Sequence, residues 1–426
     1  MNTAATTPFS LFLPCARGCE AWLLEEARAL LSTGSGKGSV RVHAARGGVR
    51  VERAAWDDVI RLNLASRLAQ RVLIEVAHER CADARALYAL AASVPWERWF
   101  EVRCTFRVDI TAHAAGGWRS LNYAALCVKD AVADRFRARS GGVRPSVDTH
   151  APDVRIAVHL EGEAATLSID TSGEPLFKRG WRQGKGDAPL KETLAAAMLA
   201  ACGWWLPGEQ RVLDVPLYDP CCGSGTIVIE AAQMLLGLPA GWQRRFGFER
   251  LRCHDAARWR ALRQQAAAPR AAAGAPRIFG SDVSHRMVDF AAHNAQRAGV
   301  AEAVQFRGGD ALARLPPAPP PGVLLLNPPY GQRIAAAGAA GVSARQWQQG
   351  QGREGDVDEF FTLLAAHWKS HYGGWTAWLL TPDAGLPARL RLKATRRVPL
   401  YNGPIECRLM RFELQGRQAP RETQNQ

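Results

Sequence analysis

Leu217-Tyr218-Asp219-Pro220-Cys221-Cys222-Gly223-Ser224-Gly225-Thr226 decides the fold. A strand ends in an acid, and a glycine-rich turn opens a helix over residues 227–236. Glycines let the backbone approach a ligand closely at the positive end of that helix. The G-x-G-x-x-G spacing is absent, so a dinucleotide pyrophosphate is not the favoured guest and a smaller group fits better. A tight strand-to-helix turn without a ligand is the alternative.

Downstream the same arrangement repeats. Ile278-Phe279-Gly280-Ser281-Asp282 ends a second strand in an acid, placed either to accept from ribose hydroxyls or to cap the next helix. Gly308-Gly309-Asp310 ends a third, where Asp310 could accept from an adenine amino group. Strands are expected at 277–281, 323–326 and 376–380, with helices at 190–204 and 357–371, the latter opened by an Asp356/Glu359 capping box. This is the strand-helix alternation of a doubly wound sheet. The methionine end of S-adenosylmethionine suits the first turn: its carboxylate meets the turn's amides and its ammonium meets Asp219. Cys222, Gly223, Ser224, Gly225 and Thr226 are the other turn candidates.

The buried run Val323-Leu324-Leu325-Leu326 stops in Asn327-Pro328-Pro329-Tyr330. Prolines cannot continue a sheet, so they hold the backbone in a rigid extended turn at the strand's carboxyl end. An aromatic amine is a poor nucleophile because its lone pair is delocalised into the ring. Two acceptors, the Asn327 side-chain oxygen and the Pro328 carbonyl, can take its two hydrogens and favour a tetrahedral nitrogen. Tyr330 would stack on a base that has left its helix. No strong base is needed, because the sulfonium is already activated. A proline-rich loop after a strand is the bland alternative, disfavoured by the order Asp219, Asp282, Asn327.

Outward from this half, residues 9–70 read as a small α/β unit. A strand is expected at 102–110 and a helix at 123–139. Val154, Ile156, Val158 and Leu160 alternate into a hairpin turned at Glu161-Gly162-Glu163. The glycine- and charge-rich stretch 171–187 holds the main boundary, and residues 391–398 and 406–414 read as a closing hairpin. Residues 316–322 and 335–355 read as loops.

The chain has 426 residues, a formal net charge of +14 and a pI near 9.7, which attracts polyanions. Residues 1–185 carry 26 basic and 20 acidic residues and 186–426 carry 28 and 20, so both halves share the excess. No stretch approaches the roughly 20 apolar residues of a spanning helix, and the first residues lack a basic secretory start. A cytosolic protein with no membrane partner is expected. The ten scattered cysteines suit a reducing compartment, and Cys15 and Cys19 have no second Cys/His pair, so no metal is expected.

Leu13-Pro14-Cys15-Ala16-Arg17-Gly18-Cys19-Glu20, Gly47-Gly48-Val49, Leu62-Asn63-Leu64-Ala65-Ser66-Arg67, Val128-Lys129-Asp130-Ala131-Val132, Arg144-Pro145-Ser146-Val147-Asp148, Lys178-Arg179-Gly180-Trp181-Arg182 and Pro189-Leu190-Lys191-Glu192-Thr193-Leu194 together resemble the bacterial THUMP-domain RNA methyltransferases. The resemblance implies an α/β fold: a Rossmann-like class I methyltransferase domain preceded by a ferredoxin-like/THUMP α+β domain. Boundaries are expected at 1–68, 69–170, 171–188 and 189–414, and residues 415–426 read as a disordered tail. The resemblance places Lys191 beside the cofactor and implies methylation of guanine N2 in 23S ribosomal RNA or a large-subunit precursor, the second enzyme of the family's longer fusion being missing. Cys221 departs from the family's commoner loop. Lys129, Arg135, Arg137, Arg144 and Arg182 are the RNA-binding candidates. The tetrapeptide resembles that of amino-methylating enzymes acting on adenine, guanine or protein glutamine and does not choose among them. Two rivals to the whole reading stay open: a DNA adenine-N6 methyltransferase, and a non-catalytic RNA-binding or assembly factor.

Overall fold

The computed structural model describes residues 8–32, 40–115, 118, 120–183, 190–266, 277–328 and 354–415. Contacts divide the chain into two units. One comprises Met1–Ala16, Leu23–Lys178 and Pro239–Ala268, the other Arg17–Trp22, Arg179–Leu238 and Pro269–Gln426.

In the first unit, strands β1 (Phe9–Pro14), β2 (Arg41–Ala45), β3 (Gly48–Ala54), β4 (Leu73–Arg80), β5 (Phe106–His113), β6 (Val154–Glu161) and β7 (Ala164–Asp170) form one sheet in the order β2-β3-β1-β4-β7-β6-β5. β4 pairs with β1 on one side and β7 on the other, so the segments 1–68 and 69–170 share a single sheet. β5 begins at Phe106 and not at 102, because the chain first turns through a Cys104 N–H to Glu101 carbonyl bond. The β6–β7 hairpin forms as its alternation predicts: Val154, Ile156, Val158 and Leu160 are all buried, and Gly162 takes φ +58° in the turn.

Helices α1 (Glu20–Ser32), α2 (Trp56–Ala65), α3 (Ala84–Ser93) and α4 (Leu121–Arg139) accompany this sheet. α4 buries Ala124, Val128, Ala131, Val132 and Phe136 at helical spacing, and Ser120 caps it by accepting from Tyr123 N–H at 3.3 Å.

Residues 239–268 follow the glycine turn in sequence but pack with the first unit. Phe246 stacks on Phe248 at 5.2 Å, and Trp259 and Trp56 meet Phe248 edge-on at 5.1 and 6.1 Å. Gly247 is required there: a Cβ would lie 2.8 Å from Gly173 N and 2.9 Å from Asp170 O.

In the second unit, β8 (Trp205–Leu206) and β9 (Arg211–Val212) form a short ribbon. The main sheet has β10 (Leu217–Asp219), β11 (Ile278–Asp282), β12 (Val304–Gly308), β13 (Gly322–Leu326), β14 (Trp375–Thr381), β15 (Arg396–Asn402) and β16 (Ile405–Glu413), in the order β12-β11-β10-β13-β14-β16-β15. The first five are parallel and the β16–β15 hairpin is antiparallel, as the repeated strand-helix pattern implies.

Its helices are α5 (Glu192–Ala201), α6 (Thr226–Leu235), α8 (His285–Arg297), α9 (Glu354–His371) and α10 (Leu386–Leu390); α7 (Ala256–Ala266) belongs to the first unit. α5 is shorter than expected because Gly203, at φ +75°, ends it before Trp204. α9 begins two residues ahead of Asp356, so Asp356 lies inside the helix and not at its cap. Phe360, Leu364 and Trp368 from α9 form a core with Leu324, Leu326, Leu379 and Met410. No helix among the described residues is long and apolar enough to cross a membrane.

Candidate active site

Four adjacent parallel strands, β12, β11, β10 and β13, bring Asp310, Asp282, Asp219 and Asn327 to one edge of the second sheet. Asp219 and Asp282 are the last residues of their strands, Asn327 follows β13 directly, and Asp310 lies two residues past β12. Three strand spacings make the row about 14 Å long. The chain runs from β10 to β11 and β12 on one side, then returns to β13 and β14 on the other. The row therefore straddles the point where strand order reverses, which is where open α/β sheets bind ligands.

Asp219 is buried and accepts one hydrogen bond, from Cys221 N–H at 3.0 Å; it has no ion-pair partner among the described residues. Burial pushes its carboxyl up to about 8, opposed by the Cys221 N–H and reinforced by the charge of Asp282. Asp282 accepts from Ser284 N–H at 2.9 Å and Gly223 N–H at 3.0 Å, so it ties the glycine turn to the start of α8. Ser284 and not Asp282 occupies the N-cap position. Asp310 accepts from Leu312 N–H at 2.9 Å.

The two glycines do different jobs. At Gly225, φ is +86° and a Cβ would lie 3.1 Å from Ala291 Cβ and Ile229 Cδ1, so only glycine lets α6 start this close to α8. At Gly223, φ is +54° but a Cβ would meet only Met287 Cε at 3.9 Å, so the turn stays open there. Cys222 is buried and donates its N–H to Ser281 O at 2.9 Å. Burial and the neighbouring carboxylates push both the Cys221 and Cys222 thiols up, so they stay protonated, and Cys221 leaves the turn intact.

Arg182 has a different place from the one expected. Its guanidinium donates to Glu192 Oε1 at 2.8 Å, Ser224 Oγ at 2.7 Å and Thr226 Oγ1 at 2.8 Å, and lies 4.8 Å from the Trp181 ring centroid. These bonds lock the glycine turn from behind and leave no free fork for a phosphate. Asn294 adds a bond from its side-chain N–H to Ser224 O at 3.0 Å, a contact that sequence reasoning missed. The signal available was the pair of hydroxyls at Ser224 and Thr226, which need partners once buried. Lys191 stands exposed at the N-cap of α5.

Asn327 is half-buried and Pro328 buried. Pro329 and Tyr330 lie outside the described residues, as does nearly all of the loop 335–355 and the tail 416–426.

In the first unit, Arg135 joins Glu97 through two bonds at 3.1 and 2.8 Å and reaches Ala92 O at 3.2 Å, so it fastens α4 to the segment after α3. That pairing holds the Glu97 carboxyl below its usual value. Arg135 is thus committed within the fold and not presented to RNA. Arg137 pairs with Asp134 at 2.7 Å and Lys129 with Asp130 at 2.7 Å, both at the surface, and Arg144 is exposed. No cluster of three or more His, Cys, Asp or Glu among the described residues could hold a metal.

Family models match three successive segments: an RlmL ferredoxin-like domain at 10–73, a THUMP domain at 81–170 and an RMKL-like methyltransferase domain at 179–343. A ribosomal RNA large subunit methyltransferase K/L from Shewanella sp. strain ANA-3 is 37% identical over 369 residues, 85% of this chain and 48% of that protein. The chain spans about half the length of the curated relatives it matches. The solved structure of SMU.472, complexed with SAH, superposes with a TM-score of 0.78 at 25% identity, covering 97% of this chain and 100% of that one. A chain from Listeria monocytogenes described as a predicted N6-adenine-specific DNA methylase gives 0.77 at 26%, covering 96% of each.

Proposed function

From a chain built as a THUMP-containing class I methyltransferase, we propose an enzyme that methylates an exocyclic base amine in RNA, guanine N2 of large-subunit ribosomal RNA. The observation that carries this reading is the row Asp310, Asp282, Asp219, Asn327 along one sheet edge. Its cofactor is S-adenosyl-L-methionine, which supplies a methyl group already activated on sulfonium.

The residues present fit that group. Asp219 is a buried carboxyl with no ion-pair partner among the described residues, suited to an ammonium. The amides of 223–226 open α6 and suit a carboxylate. Asp282 keeps acceptor capacity for ribose hydroxyls, and Asp310 suits an adenine amino group. Asn327 and the Pro328 carbonyl would accept the two hydrogens of the target amine, and Tyr330 would stack on the base. The THUMP unit supplies RNA affinity through exposed cations such as Arg137 and Arg144.

A pH dependence follows from Asp219. Its carboxyl sits near 8 in the free chain, so at pH 7 it is mostly neutral. A ligand ammonium favours the carboxylate. Cofactor binding at pH 7 is therefore expected to release close to one proton, and affinity should rise up to tenfold per pH unit until about pH 8, then level off. Titration calorimetry in two buffers of different ionisation enthalpy reads this directly. Buffer-independent heats and a flat affinity between pH 6 and 8 would remove Asp219 from the ammonium's partners.

The substrate is tested with labelled cofactor. Label should enter a large-subunit ribosomal RNA transcript and not duplex DNA. Preferential labelling of DNA would favour the adenine-N6 rival, and binding of RNA without any transfer would favour an assembly factor.

A further inference from the structure

We infer that edge strand β15 and the turn leading into it, through Arg391, Lys393, Arg396 and Arg397, form a second RNA-backbone surface carried by the methyltransferase unit itself. The inference rests on the reading that the substrate is RNA.

The composition is one-sided. Residues 389–397 hold five cations and no acid. All five are exposed, and among the described residues only Arg389 has an acidic partner, Asp383 at 3.3 Å. Arg391, Lys393, Arg396 and Arg397 make no ion pair among the described residues, unlike Lys129, Arg135 and Arg137 of the first unit. Charged side chains also guard sheet edges against pairing, and Pro399 on β15 already does so by removing an N–H. A guard needs charge of either sign. Four unpaired cations concentrated there favour a polyanion.

Position supports the same partner. Arg397 pairs with Met410, Met410 with Leu379, and Leu379 with Leu326, the residue before Asn327. Arg397 thus stands on the same row of the sheet as the proposed catalytic segment, about 14 Å away across three strand spacings, with Arg396 beside it and Arg391 and Lys393 in the turn that leads into the strand. That is close enough to hold phosphates flanking a base presented to Asn327. Arg396 and Arg397 project to opposite faces of their strand, so the charge wraps the edge.

The full chain is titrated with a large-subunit ribosomal RNA transcript between 50 and 200 mM salt, alongside R391Q/K393Q/R396Q/R397Q. Losing four phosphate contacts should flatten the slope of log affinity against log salt by about 3, with cofactor affinity unchanged as the check on folding. As a charge control, R396Q/R397Q should flatten the slope while R211Q/R277Q, whose arginines pair with Glu209 and Asp214, should not. If the quadruple variant keeps the slope while R137Q/R144Q loses it, β15 is an edge guard only and the RNA reading survives. If the unaltered chain binds the transcript no better than duplex DNA, the RNA reading fails and this surface with it.

Discussion

Asn327→Ala is expected to lower methyl transfer to RNA by about 100-fold to 1,000-fold, the range for removing one preorganised polar group from a reacting centre. Cofactor affinity should stay within about twofold, because the proposed cofactor contacts are Asp219, Asp282 and the turn at 223–226. Asn327 directly follows β13, beside β10, whose last residue is the buried Asp219. It is half-buried, at the carboxyl end of the strand where open α/β sheets bind ligands. The two amine hydrogens need two acceptors, and alanine leaves only the Pro328 carbonyl. Single-turnover rates with labelled cofactor separate this from a binding defect. A loss in cofactor affinity as large as the loss in rate would move Asn327 from the transfer step to the cofactor pocket.

Arg179→Met is expected to cost about 3–5 kcal/mol, the range for breaking a buried ion pair from one side. The Arg179 side chain is 1% exposed and Glu230 is fully buried, with Arg179 Nε 3.0 Å from Glu230 Oε1. Glu230 lies on α6, the helix opened by the glycine turn, so the pair anchors the segment carrying Arg182 to the body of the second unit. Urea unfolding midpoints check the cost, and R179M/E230L should recover much of it, because an apolar pair replaces the stranded carboxylate. An unchanged midpoint in the single variant would mean that the carboxylate is otherwise satisfied.

The placement of the candidate site's residues at strand ends was legible in the chain because its signals are local. Asp219, Gly223, Gly225 and Asp282 each sit where a strand ends and a helix begins, and those transitions have their own residue chemistry. The order of the strands then follows from their alternation with helices. Arginine partners were not legible. Arg182 meets Ser224 and Thr226 across more than forty residues, and Arg135 meets Glu97 across 38, so the sequence shows charge without showing what neutralises it. Arg135, singled out for RNA, is held by Glu97, while 389–397, where four of five cations make no ion pair among the described residues, drew no attention. The stretch 239–268 was missed for a related reason: its aromatic residues find Trp56 and Thr171, far away in the chain.

The most direct measurement is nucleoside analysis of a large-subunit ribosomal RNA transcript after incubation with the chain and S-adenosyl-L-methionine. The account predicts N2-methylguanosine at one position, lost with Asn327→Ala. Methyl groups on adenine, on a ring nitrogen or ribose, or an unchanged yield from the alanine variant would contradict it.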